Sequence, residues 1–153
     1  MNKENEKKSF VSKIRYEDFA GSSSCQGCHK SIYDSHVHTA HFHTSEIASE
    51  KNIKGSFEEG KNIFPYNNGN YIVMKKTDSG FYQVEYSGGI EKQKYPFNIT
   101  TGSGAKGQTY LHWKNNKLFQ LPITYFTSAN QWSNSPGFPD RAVFKRIITS
   151  RCL

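Results

Sequence analysis

Five consecutive residues, Cys25-Gln26-Gly27-Cys28-His29, constrain this chain more than anything else in its 153 residues. Two cysteines separated by two residues, with a histidine directly after them, make C-x-x-C-H, the sequence to which haem is attached covalently. The spacing has a chemical reason. Each thiol adds across one vinyl group of the porphyrin, so both sulfurs must reach one edge of the ring, and two intervening residues in a helical turn set that distance. The next residue points its imidazole at the iron, so His29 is expected as the proximal ligand and haem c as the cofactor. Redox dithiols and zinc sites also use C-x-x-C. A dithiol belongs at a strand-to-helix junction of a βαβ unit, and no such unit precedes Cys25. Zinc stands as the second reading of the motif.

Four histidines, His36, His38, His41 and His43, follow within eight residues of one another. On a helix His36 and His43 would share one face, and His38 and His41 another. One of them is expected to bind iron from the distal side, and the others to be exposed polar side chains.

The run from Ser24 to Glu50 contains only Gly27 as a breaker, and Ile32, Val37, Ala40 and Ile47 fall roughly at helical spacing. A helix is therefore expected from about Cys25 or His29 to about Ala48, with Ser24 as its N-cap and a break allowed within it. After Gly60 the texture changes to short aromatic and β-branched runs bounded by Gly, Asn and Pro: YIVMKK, FYQVEY, YPFNIT, TYLHWK, KLFQLPITYF and AVFKRII. These predict five or six strands in an antiparallel meander, with Asn115-Asn116 as a tight hairpin and Pro122 at a strand end. The expected fold class is α+β, an N-terminal haem-binding helical segment followed by a mainly antiparallel β-rich domain. The expected divisions are a flexible tail over 1–15, the helical segment over 16–55 and the β-rich domain over 56–149.

Two further features need an assignment. Gly102 to Gly107 matches G-x-G-x-x-G, but a strand-like TYLHWK follows where a nucleotide site needs a helix, and no acidic residue comes about twenty positions on. A structural loop that lets backbone approach closely is the expectation. His112 and Trp113 must point to opposite faces of a strand, and the larger residue is expected inside, leaving His112 half-exposed.

Composition narrows the function classes. The hydrophobic fraction is 35% and leans on 11 Phe and 9 Tyr, so a bound apolar group would help complete the core. The net charge is +7, yet the lysines are scattered and no zinc finger, RNA-binding or helix-turn-helix signature is present, so nucleic acid is not an expected partner. No apolar run approaches the roughly 18 residues of a membrane span, and MNKENEKKSF lacks the apolar centre of a secretory signal.

With these motifs in hand, CQGCHKSIYDSHVHTAHFHTS resembles the haem segment of multihaem c-type cytochromes of the cytochrome c-554/c-552 type. TGSGAKGQTYLHWKNNKLFQLPITYFT, WSNSPGFP and ITSRCL resemble a β-rich insert of bacterial multihaem cytochromes. The resemblance implies iron ligation by His29 and His41, with His38 the nearest competitor to His41. It also implies that residues 150–153, ending in Cys152-Leu153, are the truncated start of a second haem motif, in a chain that is an N-terminal fragment. The function expected on these grounds is electron transfer between redox partner proteins and other haem domains of the same complete chain. The expected location is periplasmic or extracellular, without a signal peptide in this chain. The alternatives are a multihaem oxidoreductase acting on a small nitrogen or sulfur compound, and a haem-based sensory domain.

Overall fold

Tyr71–Thr77 and Gly80–Ser87 are rich in aromatic and β-branched residues, and burial alternates along the first of them, with Ile72 and Met74 inside and Tyr71, Val73 and Lys75 only partly covered. The computed structural model, which describes residues 20–148, shows these two segments as paired antiparallel strands. Of the described residues, 20–38 fall in one compact unit and 39–148 in a second.

In the first unit a 3₁₀ turn spans Ser22–Cys25 and a single α-helix, α1, spans Lys30–Val37. Ser24 does not cap the helix: its hydroxyl donates to the Gly21 carbonyl at 2.7 Å, and His29 holds the N-cap position without a side-chain bond. Helix α1 buries none of its residues, and Ile32 is 66% exposed. Lys30 and Asp34 pair at 2.7 Å along it, worth a few tenths of a kcal/mol for such an exposed pair. A helix of eight residues with no buried face is marginal by itself. Among the described residues no helix is long and apolar enough to cross a membrane.

The second unit is all strands and loops apart from a 3₁₀ turn at Phe42–Thr44. Its strands are β1 Ser45–Ile47, β2 Ile63–Pro65, β3 Tyr71–Thr77, β4 Gly80–Ser87, β5 Ile90–Pro96 and β6 Ile99–Thr101. They continue with β7 Gly107–Lys114, β8 Lys117–Gln120, β9 Ile123–Phe126, β10 Gln131–Asn134 and β11 Arg146–Ile148. One sheet runs β2-β3-β4-β5; the other runs β1-β6-β7-β8-β11, with β9 pairing β7 and carrying β10. Every described pairing is antiparallel.

The expected α+β class is therefore corrected to a predominantly antiparallel β structure, with one eight-residue α-helix among the described residues. The helix expected to reach Ala48 ends at Val37, with His38 as its C-cap. Beyond it, hydroxyl side chains compete for the backbone: Thr39 Oγ1 accepts the Phe42 N–H, and Thr44 Oγ1 donates to the His41 carbonyl at 2.8 Å. Ser45, Glu46 and Ile47 are then captured by Thr101, Thr100 and Ile99 as a strand pair. Ladder bonds with a distant segment thus override local helical spacing. The expected tail over 1–15 and the expected start of a second motif over 150–153 lie outside the described residues.

The two sheets share one core. Ile72 and Met74 from β3 meet Tyr110, Ile123, Tyr125 and Trp132 from the other sheet. Much of the contact is aromatic: Phe97 lies 4.6 Å from Tyr110, and Tyr110 lies 5.3 Å from Trp132, centroid to centroid. Such ring pairs add about 0.5–1.5 kcal/mol each beyond their buried area, which is how a chain low in aliphatics builds a core. The Asn115-Asn116 hairpin is present, both residues having left-handed backbone (φ 51° and 56°), the geometry of a two-residue turn between twisted strands. Pro122 precedes β9, where its missing N–H costs the ladder nothing.

Candidate functional site: the C-x-x-C-H turn and the histidines after it

The motif forms a single helical turn. Cys25 closes the 3₁₀ turn, Gln26 continues in right-handed helical conformation, and the His29 N–H donates to the Cys25 carbonyl at 2.9 Å. Tyr33 N–H donates to the His29 carbonyl, also at 2.9 Å, joining the motif to α1. This is the i to i+4 bond that brings the first cysteine and the histidine one above the other. Both thiols are free and exposed, and His29 is exposed. A side chain added at Gly27 would meet nothing within 4 Å, so the intervening residues leave the turn unobstructed.

The donor chemistry and the turn fit a covalently held haem. Two accessible thiols and an imidazole occupy one hydrogen-bonded turn, and exposed Ile32 one turn further on offers apolar surface for a large planar group to cover. Among the described residues no group of three or more His, Cys, Asp or Glu side chains comes together as a metal site.

The four later histidines fall in both units. His36 and His38 belong to the unit of the motif, on and just after α1, while His41 and His43 belong to the second unit. All but His36 lie outside α1, so the two shared helical faces expected for the cluster do not form. His38 Nδ1 bonds the Asp34 carbonyl. His43 Nδ1 lies 3.0 Å from Glu46 Oε1. In both rings Nδ1 is occupied, which leaves Nε2 as the nitrogen available outward, the usual division of labour in a metal-binding imidazole. His41 contributes its carbonyl to the turn, accepting from Thr44 N and Thr44 Oγ1.

The anchor of His43 escaped the sequence reading. Glu46 Oε2 also accepts from Asn52 Nδ2 at 2.9 Å, and this bond first, then His43, holds the Glu46 carboxyl below its ordinary range. The spacing of three between His43 and Glu46 was the one available signal. Asn52 comes in through a loop that also gives its side-chain amide to the Ile47 carbonyl.

The glycine loop is structural, as expected. Gly102 has φ 98°, its N–H donates to the Thr44 carbonyl at 2.6 Å, and a Cβ there would stand 2.7 Å from the Gly107 carbonyl oxygen. The expectation for β7 is reversed: His112 is buried and Trp113 is 51% exposed. Gln108, Tyr110 and His112 share one face of the strand, and Tyr110 lies in the core, so parity puts His112 inside.

Comparison of the chain with models of protein families, with curated proteins and with solved structures finds no match.

Proposed function

We propose that this protein is an electron-transfer module of the c-type cytochrome kind, with haem c held through Cys25 and Cys28 and ligated by His29. The observation that carries this reading is the hydrogen-bonded turn from Cys25 to His29, with both thiols free and exposed. Haem c, when bound, supplies a one-electron iron couple. Cys25 and Cys28 fix the ring to the backbone, and the His29 imidazole, neutral when ligating, donates to iron. By the resemblance to multihaem cytochromes, a second histidine, His41 first and His38 next, would be the other iron ligand, which would leave no position open to substrate. The reading includes redox protein partners, other haem domains of the complete chain, and a periplasmic or extracellular location, because haem c is attached outside the cytoplasm.

The test is to produce the protein with a cytochrome c maturation system and extract it with acidified acetone. Haem is expected to stay with the polypeptide in the wild type, and the Cys25→Ala/Cys28→Ala variant is expected to release or never acquire it. Extraction of the haem from correctly matured wild-type protein overturns the proposal.

A further inference from the structure

A cavity of about 550 Å³ opens in the second unit, between β5 of one sheet and β7, β8 and β11 of the other. Its walls are aromatic. Tyr95 and Phe144 stack with centroids 4.5 Å apart, and His112 stands edge-on to Tyr95 at 5.8 Å and beside Phe119 at 6.4 Å. The volume lies within the 300–1,000 Å³ of ordinary small-molecule sites, and apolar walls with a few polar groups are their usual make-up.

Two independent observations say what such a site would take. The His112 side chain lines the cavity and is 7% exposed, and its buried Nδ1 has no hydrogen-bond partner, while the Pro96 carbonyl lies near enough to the ring to favour its protonated form. A buried polar atom without a partner costs about 1–3 kcal/mol and is rarely left so in a protein without a role. The second is charge. Lys114, Lys117 and Lys145 line the same cavity, with no acidic residue among its lining. Among the described residues no carboxylate pairs with any of the three.

We infer that this cavity binds a flat aromatic carboxylate, its ring system against Tyr95, Phe119 and Phe144 and its carboxylate among Lys114, Lys117 and Lys145. The ring replaces water on apolar walls, while the lysines offset the desolvation of the anion at a half-open mouth. Burial holds the His112 imidazole below its ordinary pKa, so it stays neutral at neutral pH and presents a polar contact without adding a fourth charge. The site lies wholly within the second unit and does not depend on the reading of the C-x-x-C-H turn.

The experiment uses the full chain, labelled with ¹⁵N, and two probes of like shape, 2-naphthoate and the neutral 2-naphthalenemethanol, titrated at low salt. Naphthoate is expected to shift the amide signals of residues 112–119 and 144–147 saturably, and to bind at least tenfold more tightly than the alcohol. Charge reversal at the exposed rim, Lys117→Glu/Lys145→Glu, is expected to weaken naphthoate at least tenfold and the alcohol less than twofold. The unliganded spectrum of the variant reports that it is folded. Equal affinity for the two probes, shifts scattered away from these residues, or no saturable binding at millimolar naphthoate overturns the inference.

Discussion

The side chain of Gln83 on β4 grips the backbone of Ile123 on β9 at both ends: its Nε2 donates to the Ile123 carbonyl at 2.7 Å, and its Oε1 accepts the Ile123 N–H at 3.1 Å. The two residues belong to different sheets, and both are fully buried. An amide side chain thus takes the place that a neighbouring strand would take, pinning the register of one sheet against the other.

Replacing Gln83 with Leu keeps the volume and strips Ile123 of both partners. Two buried backbone groups are then left unpaired, at about 1–3 kcal/mol each, so Gln83→Leu is expected to destabilise the second unit by about 3 kcal/mol. Urea denaturation followed by tryptophan fluorescence measures this, since Trp132 lies in the core. A loss under about 1 kcal/mol would show that water or relaxation repairs the site.

Gly55 is irreplaceable for reasons of space. A Cβ at this position would sit 2.1 Å from Cζ2 of Trp132, whose indole N–H donates to the neighbouring Ser56 carbonyl at 2.8 Å. Alanine forces the indole to move and weakens that bond, so Gly55→Ala is expected to cost about 2 kcal/mol or more and to shift the emission of Trp132. A neutral substitution would mean that the loop carrying Gly55 yields instead of the ring.

In the haem-loaded protein, His41→Ala is expected to turn a low-spin absorption spectrum into a high-spin one that accepts carbon monoxide or cyanide, while His43→Ala leaves it low-spin. An unchanged His41→Ala spectrum transfers the ligand to His38, whose Nδ1 is already bonded to the Asp34 carbonyl, or to His36. His38→Ala or His36→Ala is then the variant that goes high-spin.

Acid is expected to weaken the second unit through His112. Its burial, and then the charge of Lys114, hold the folded pKa below the ordinary 6.5, so the unfolded chain binds a proton that the folded chain refuses. Stability from this group is therefore complete above about pH 6.5. It falls as the pH drops towards the depressed folded value, then levels off. Urea midpoints of wild type and His112→Phe at pH 7 and pH 5 test the sign: wild type should lose more on acidification. Parallel losses would show that His112 titrates normally.

The motif and much of the β body were legible because they rest on local chemistry. C-x-x-C-H needs only one turn of backbone, β3, β4, β7, β8 and β9 are aromatic and β-branched runs bounded by turn residues, and Asn-Asn accepts the positive φ of a tight turn. What escaped detection depends on distant partners. Ser45–Ile47 reads as the end of a helix until β6 lies beside it, and β5, with its EKQK run, looks like a charged loop until β4 pairs with it. In β7, alternation separates His112 from Trp113, but choosing the inner one required knowing that Tyr110 points inward. The Glu46 and Asn52 contacts that hold His43 arise from loop closure, which has no period in sequence.

Strand β5 forms the outer edge of its sheet, and Glu91, Lys92 and Lys94 stand exposed along it before Pro96 ends the strand. Charged side chains along an edge make it a poor template for a second copy, because pairing would have to strip water from them. Charges and a proline on an edge strand are the features that oppose edge-to-edge pairing of sheets. Lys94 also lies over the Tyr82 ring at 3.9 Å, so Lys92, which has no such contact among the described residues, is the one whose neutralisation would alter the colloidal behaviour of concentrated solutions with least effect on the folded unit.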